Sequence, residues 1–277
     1  MKKTLIKNPS MTCYVIDGTI DGLLTAVFDA FALHDQPDRL LMQGETVPLF
    51  CDHLYQVTTD DEKARQVWAG LEKRLPHEVM RMISVSWLSE LPELPTPLFL
   101  YICKVFRQGD ISRYFADPDV QAVTNIARKV IHEELRMKQF IRFQKAKDGT
   151  YLAVVSPDHN VLPLITDHFA DRFNDQPWLI YDAKRHYGYY YDGQTVIHIT
   201  FEDEASVPFD LSNGKMDTGI LSADDQLFQA LWRTYFKAIC IKERMNPKKQ
   251  LSDMPRRYWK YMTEKIATPH SDYRSEN

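Results

Sequence analysis

Tyr151-Leu-Ala-Val-Val155, Trp178-Leu-Ile-Tyr181, Tyr187-Gly-Tyr-Tyr-Tyr191 and Val196-Ile-His-Ile-Thr200 are four short runs rich in β-branched and aromatic residues. That composition fits the pleated, half-buried surface of a strand. Turn signals at Asp148-Gly149 and Asp192-Gly193 punctuate the series. A helical stretch, Leu162–Phe173, sits between the first two runs, and Phe140-Ile-Arg-Phe143 reads as a further β-rich piece ahead of them. The expectation for this region is a mixed, mainly antiparallel sheet flanked by helices.

Toward the N-terminus the pattern changes to helix. Thr12–Ile16 alternates as a short strand, Asp17-Gly18-Thr19 turns, and Leu23, Leu24, Val27, Phe28 and Phe31 recur at helical spacing, with Thr19 or Asp21 as the N-cap. A second strand-like piece, Val47–Phe50, follows Gly44. Thr58 or Thr59 then caps a helix to about Leu75 whose charge runs from acidic to basic, and Pro76 opens another through Leu88. After the proline-rich Leu91–Pro97, helix resumes near Leu98 and breaks at Gly109, and Asp117-Pro118 starts a long helix to about Leu135. Beyond the sheet, Asp224–Glu243 and Pro255–Lys265 read as helices. No regular βαβα alternation is visible, so the fold class is α+β. A helix-rich N-terminal part with a short strand, to about residue 115, precedes a sheet-and-helix part, about 116–267, that ends in a helical segment. Residues 1–267 are expected to form a single family domain, and 268–277 a polar tail.

The 277-residue chain is 44% hydrophobic and 12% aromatic, too rich in core-forming residues to be disordered over most of its length. The apolar runs near Trp87 and at Leu98–Phe106 fall short of the ~18 residues of a membrane-spanning helix, and Lys7, Asn8 and Pro9 interrupt a signal-peptide core. Cys13, Cys51, Cys103 and Cys240 form no CxxC, so neither a zinc knuckle nor an iron–sulfur ligand loop is expected in this chain. Reduced, mostly buried thiols in a cytoplasmic protein are the plain reading.

Net charge is −4, so a polyanion would have to meet a local patch. Two stretches qualify. Between Gln121 and Lys147 seven basic residues, among them Arg136, Lys138 and Arg142, stand against Glu133 and Glu134, a net of +5. Between Ala230 and Ala267 ten, including Arg244, Lys248, Arg256 and Arg257, stand against Glu243, Asp253 and Glu264, a net of +7. Aromatics are interleaved in both: Phe140, Phe143, Trp232, Tyr235, Phe236, Tyr258 and Trp259. Lys and Arg meet phosphates while aromatic faces accept unstacked bases, the combination a single-strand or flipped-base binder uses. Solvated helix faces carry as many lysines, and Trp232 or Tyr235 at helical spacing more often belong to a core. Met254-Pro-Arg-Arg-Tyr-Trp-Lys260 puts cations in the first turn of a helix, against its dipole, a local cost that a phosphate would relieve.

Polar groups also cluster at strand ends. Pro157-Asp158-His159 closes one strand, His168, Asp171 and Arg172 lie on the next helix, and Asp182, Lys184 and Arg185 end the following strand. Asp158 and Asp182 with His159 or His168 could hold Mg²⁺ or act as acid and base, and with Lys184 they loosely match metal-dependent nucleases. The alternative is structural: Asp158 caps the next turn, and Asp182 pairs with Arg185 or Arg172. Asp17-Gly-Thr-Ile-Asp-Gly22 leads into a helix N-terminus, but its two aspartates would repel phosphate.

Asp17–Phe28, Leu135–Phe143, Pro157–His159, His168–Phe173, Trp178–Asp182, Leu231–Phe236, Arg244–Lys248 and Met254–Trp259 together resemble a bacterial domain-of-unknown-function family described as DNA-metabolism or DNA-repair proteins. The likeness runs from about Cys13 to Trp259. It implies a gene neighbour, a radical-SAM protein acting on DNA, as partner; in some members it implies fusion to a uracil-DNA-glycosylase-type domain. The partner, not this chain, would carry the iron–sulfur cluster and S-adenosylmethionine. Where the family pattern has His-Arg-Met-Lys, this chain has Leu135-Arg136-Met137-Lys138, and the glycosylase motif is absent, so uracil excision by this chain alone is not expected. Three functions follow as expectations. The first is an accessory protein binding DNA or other nucleic acid through Arg136, Lys138, Arg142, Arg172, Arg185, Arg244, Lys248, Arg256, Arg257, Tyr258 and Trp259. The second is a metal-dependent nuclease or hydrolase using Asp158, His159, His168 and Asp182 with a divalent metal. The third is an adaptor whose basic faces meet an acidic protein.

Overall fold

The computed structural model describes residues 11–201, 208–216, 219–238 and 247–266. Arg244, Cys240 and the 268–277 tail lie outside them. The chain divides into two compact units, residues 1–131 and 132–277.

The first unit begins with β1 (Met11–Ile16), α1 (Ile20–Ala32), β2 (Arg39–Met42) and β3 (Cys51–Gln56). The three strands form a parallel sheet in the order β2-β1-β3. Helices α2 (Asp61–Glu72), α3 (His77–Trp87), α4 (Pro95–Gln108) and the first part of α5 (Pro118–Phe140) follow. The central strand is buried from Cys13 to Ile16, as a strand covered on both faces must be. Around it Tyr14, Leu23, Val27, Leu71, Ile83, Leu98 and Ile102 build the core. Burial pushes the thiol of Cys13 up to about 11 and that of Cys103 to about 12, which keeps both in the unreactive protonated form.

Two expectations are corrected here. Val47–Phe50 is a loop, with Leu49 and Phe50 strongly exposed, and the strand begins only at Cys51. Arg39–Met42 is a strand that four residues without alternation could not announce, so a parallel β1–α1–β2 crossover does exist. Thr19, rather than Asp21, caps α1 by accepting from Gly22 N. Burial alone would raise the Asp17 carboxyl. Hydrogen bonds from Thr19 N, Thr19 Oγ1 and Thr59 Oγ1, at 2.9, 2.7 and 2.8 Å, hold it below its usual range instead. A Cβ at position 22 would lie 2.3 Å from Asp17 Oδ1, so any larger residue there must displace this hydrogen-bonded carboxylate.

The second unit contains the rest of α5, then β4 (Gln144–Lys145), β5 (Tyr151–Val155), α6 (Leu162–Arg172), β6 (Trp178–Asp182), β7 (Tyr187–Tyr191) and β8 (Val196–Ile199). After these come α7 (Ala223–Ala238), α8 (Pro247–Asp253), a 3-10 helix (Arg256–Tyr261) and α9 (Thr263–Ile266). The sheet order is β4-β5-β6-β7-β8. β5 and β6 are parallel, joined through α6, and the other pairs are antiparallel. This is the mixed, mainly antiparallel sheet that the four β-rich runs predict. β6 is buried along its whole length, which identifies it as the central strand. One face packs Leu179 and Tyr181 with Leu152, Val154, Phe209 and Met216, and on the other Trp178 meets Phe169 and stacks on Tyr191.

Phe140–Phe143 is not a strand. Helix α5 continues past Leu135 to Phe140, since Met137 is buried one turn beyond Glu133 and Glu134 and extends the inward stripe. Among the described residues, no helix is long and apolar enough to cross a membrane.

Candidate nucleic-acid interface

The C-terminal end of α5, the C-terminal end of α6 and the middle of α7 surround a cavity of about 510 Å³ in the second unit. Lys138 and Gln139 of α5 line it with Arg142 and Phe143 just beyond that helix, Phe169 and Arg172 of α6 with its C-cap Phe173, and Phe228, Gln229 and Trp232 of α7. The floor is an aromatic ladder. Phe143 meets Phe169 and Phe173 edge-on at 5.6 and 5.5 Å, Phe169 and Phe173 lie nearly parallel at 6.1 Å, and Phe169 abuts the wholly buried Trp178. Two bonds tie α7 to β4 and the residue before it: Lys145 N donates to Asp225 Oδ1 at 2.8 Å, and Gln229 Nε2 donates to the Phe143 carbonyl at 3.3 Å.

Arg142 forms a fixed wall. Its Nε and Nη2 donate to Oε1 of the buried Glu264 at 3.0 and 2.9 Å, and Nη1 donates to the carbonyls of Gln139 and Ile141. The guanidinium lies 5.5 Å from the Trp232 ring centroid, a cation–π contact. Across the cavity Phe228 is 61% and Trp232 38% exposed, beside Leu227, Leu231 and Tyr235 on the same helix. Large apolar side chains open to solvent on one helix face mark a contact surface.

The predicted cations divide into two groups. Lys138 pairs with Glu134 at 2.7 Å, Arg142 with Glu264, Arg185 with Asp182 at 2.8 Å, and Arg257 with Glu133 and Asp158 at 3.5 and 3.0 Å. Arg136 donates to the Ser252 carbonyl. These charges are largely compensated within the unit, so the net positive counts of the two stretches overstate the field a phosphate would feel. Arg172 is exposed and makes no ion pair among the described residues, its guanidinium 5.8 Å from the Phe173 ring centroid. Lys248 and Arg256 are also exposed, Arg256 against the Trp259 ring. Arg172 therefore offers the least encumbered charge at the cavity. Tyr258 is buried and turned to Glu133, and the Trp259 indole donates to the Met254 carbonyl, so neither presents an open stacking face of the kind Phe228 does.

The second constellation lies at the carboxyl ends of the parallel strands β5 and β6. Glu133, which is 1% exposed, accepts from Asp158 N, His159 N and Tyr258 Oη at 3.0, 2.7 and 2.6 Å. On the other side of the same loop, Lys184 Nζ and Arg185 Nη2 donate to the Asp158 carbonyl, and Arg185 Nη1 donates to the Pro157 carbonyl. Asp182 is wholly buried and accepts from Lys184 N, Arg185 N and Arg185 Nη1. Burial raises its carboxyl above the usual range against the pull of Arg185. Both aspartates thus face guanidinium groups, Asp182 toward Arg185 and Asp158 toward Arg257. His168 packs its ring against Phe169 on α6. Among the described residues, no three His, Cys, Asp or Glu side chains gather to hold a metal ion.

Glu133 escaped the sequence reading, which counted it only as an offsetting acid. Its spacing from the buried Val130 and Met137, three before and four after, was the available signal that it points inward. Phe173, Phe228 and Gln139 were not singled out either, since exposed aromatics in an amphipathic pattern look like core.

A family model described as a domain of unknown function, DUF4130, matches residues 92–264, more than half of the chain. The chain belongs to the DUF4130 family. The match takes in the cavity and the loop clamp of this DUF4130 protein, along with the last helices of its first unit. No curated protein matches it. Among solved structures, it is similar to a pGpG-specific phosphodiesterase from Vibrio cholerae at 11% identity and a TM-score of 0.28, covering 82% of this chain and 99% of that one. It is also similar to a DHH-domain member of the s1p family of ribosomal proteins at 11% identity and a TM-score of 0.25, covering 66% and 74%. Likenesses this low carry no argument about the DUF4130 chain.

Proposed function

We propose that this protein is a nucleic-acid-binding accessory factor of DNA metabolism, working in the cytoplasm beside a radical-SAM protein that carries the cofactors and performs the chemistry. The observation that carries the binding role is the cavity in which Lys138, Arg142 and Arg172 converge with Phe143, Phe173, Phe228 and Trp232. Cations at the rim of an exposed aromatic surface are what a nucleic acid strand requires: charge for its phosphates and π-faces for its bases. The partner rests on the sequence resemblance alone.

The test is binding of labelled single- and double-stranded DNA across a salt series. Wild type should bind at low salt with a steep linear fall of log K against log salt, and Arg172→Ala should lower the slope by about 1, the loss of one phosphate contact. The pair Arg256→Ala/Arg257→Ala reports whether the C-terminal cations take part. Salt-insensitive binding, or none, contradicts the proposal.

The exposed Leu227 and Leu231 favour one other reading, an adaptor that docks a protein on α7. That reading predicts no salt-dependent DNA binding.

A further inference from the structure

We infer that the cavity between α5, α6 and α7 receives a single unstacked nucleobase, so that the ligand class is single-stranded or base-extruded DNA rather than an intact duplex. This rests on the nucleic-acid reading and adds the part of the ligand that is recognised.

In a duplex both faces of each base are covered by its neighbours, and a protein reads only backbone and groove edges. Exposed aromatic rings at a cavity are useful to a nucleic acid only if a base leaves the stack. Phe228 and Trp232 offer such faces, and the parallel pair Phe169 and Phe173 forms the surface beneath. The cavity, at about 510 Å³, lies within the 300–1,000 Å³ typical of small-ligand pockets.

Its polar groups suit the edge of a base. The Gln139 amide is exposed and makes no hydrogen bond among the described residues, and Gln229, with its Nε2 on the Phe143 carbonyl, keeps Oε1 as an acceptor. An amide offers a donor and an acceptor side by side, the pattern that pairs with a base edge. Arg142 acts as a positioning residue: held by Glu264 and two backbone carbonyls, it fixes the Trp232 ring by stacking, while Arg172 at the rim is placed for the adjoining phosphate.

The experiment compares the full chain's affinity for an oligothymidylate of about 12 nucleotides, within the site sizes of single-strand binders, with that for an abasic oligomer of the same length and charge. Wild type should bind the base-bearing oligomer about tenfold more tightly, the effect of one stacked base. Trp232→Ala should erase that difference, and Trp232→Phe should preserve most of it. Phe228→Ala, at a more exposed position, gives the same readout should Trp232→Ala fold poorly. Equal affinity of wild type for both oligomers overturns the base pocket and leaves phosphate binding standing. A preference for bases that survives both alanine variants overturns its placement in this cavity. Binding to neither oligomer at low salt overturns the nucleic-acid reading itself.

Discussion

Glu133→Ala should lower folding stability by about 3–5 kcal/mol, the penalty typical of removing one partner from a buried, hydrogen-bonded charge network. The carboxylate accepts two backbone N–H groups and the Tyr258 hydroxyl, with Arg257 3.5 Å away. Alanine would leave those donors without an acceptor where water does not reach, and each orphaned buried donor costs on the order of 1–3 kcal/mol. Glu133→Gln keeps an acceptor oxygen and should lose less. The pH dependence separates charge from packing. Burial alone would raise the Glu133 carboxyl, but the Tyr258 hydroxyl, the two N–H groups and nearby His159 more than offset it and hold it below its ordinary 4.5. A lowered carboxylate stabilises the fold above 4.5, and that contribution is lost as pH falls through its folded value. Wild type should therefore weaken below pH 4.5, and Glu133→Gln should flatten that fall, as read from denaturant midpoints across the acid range. An unchanged acid limb in Glu133→Gln would show that the clamp does not depend on charge.

Arg185→Ala should be of similar size, about 3–5 kcal/mol, because it leaves Asp182 buried without its cation. The Asp182 side chain is 0% and Arg185 10% exposed, and the same guanidinium holds the Pro157 and Asp158 carbonyls. Asp182 already sits above its usual range through burial, and loss of Arg185 raises it further. A raised carboxyl penalises the fold at pH above its folded value and not below its unfolded one, so the loss should grow as pH rises through that window. Asp182→Asn in the Arg185→Ala background should recover part of it, since no charge is then buried. Glu133 holds the N–H side of the 157–159 segment and Arg185 the carbonyl side, so the two single losses should not add, and a coupling of about 0.5–3 kcal/mol is expected in the double mutant. A loss under about 1 kcal/mol for Arg185→Ala would contradict a clamped loop.

The sheet of the second unit was legible because its strands are aromatic and β-branched, with aspartate-glycine turns after β4 and β7 that no helix would tolerate. Arg39–Met42 was not, since a four-residue parallel strand has no room to show a period and pairs through a crossover. Phe140–Phe143 misled because its aromatics serve a helix end and a cavity floor, which look alike in sequence. The candidate site was legible as composition and not as geometry. Basic and aromatic residues were visible, but Arg142 pairs with Glu264, and Arg257 pairs with Glu133 as well as Asp158, acids that lie far away along the chain. Long-range pairing of that kind decides which cations remain open to a phosphate, and no local spacing encodes it.

Photocrosslinking places the strand on the surface most directly. A single-stranded oligonucleotide bearing 5-bromodeoxyuridine, irradiated with the full chain and mapped by mass spectrometry, should attach to residues within 138–143, 169–173 or 228–232. Adducts confined to the first unit or to 256–260, or none from a bound oligonucleotide, would contradict a nucleic-acid site in the cavity between α5, α6 and α7.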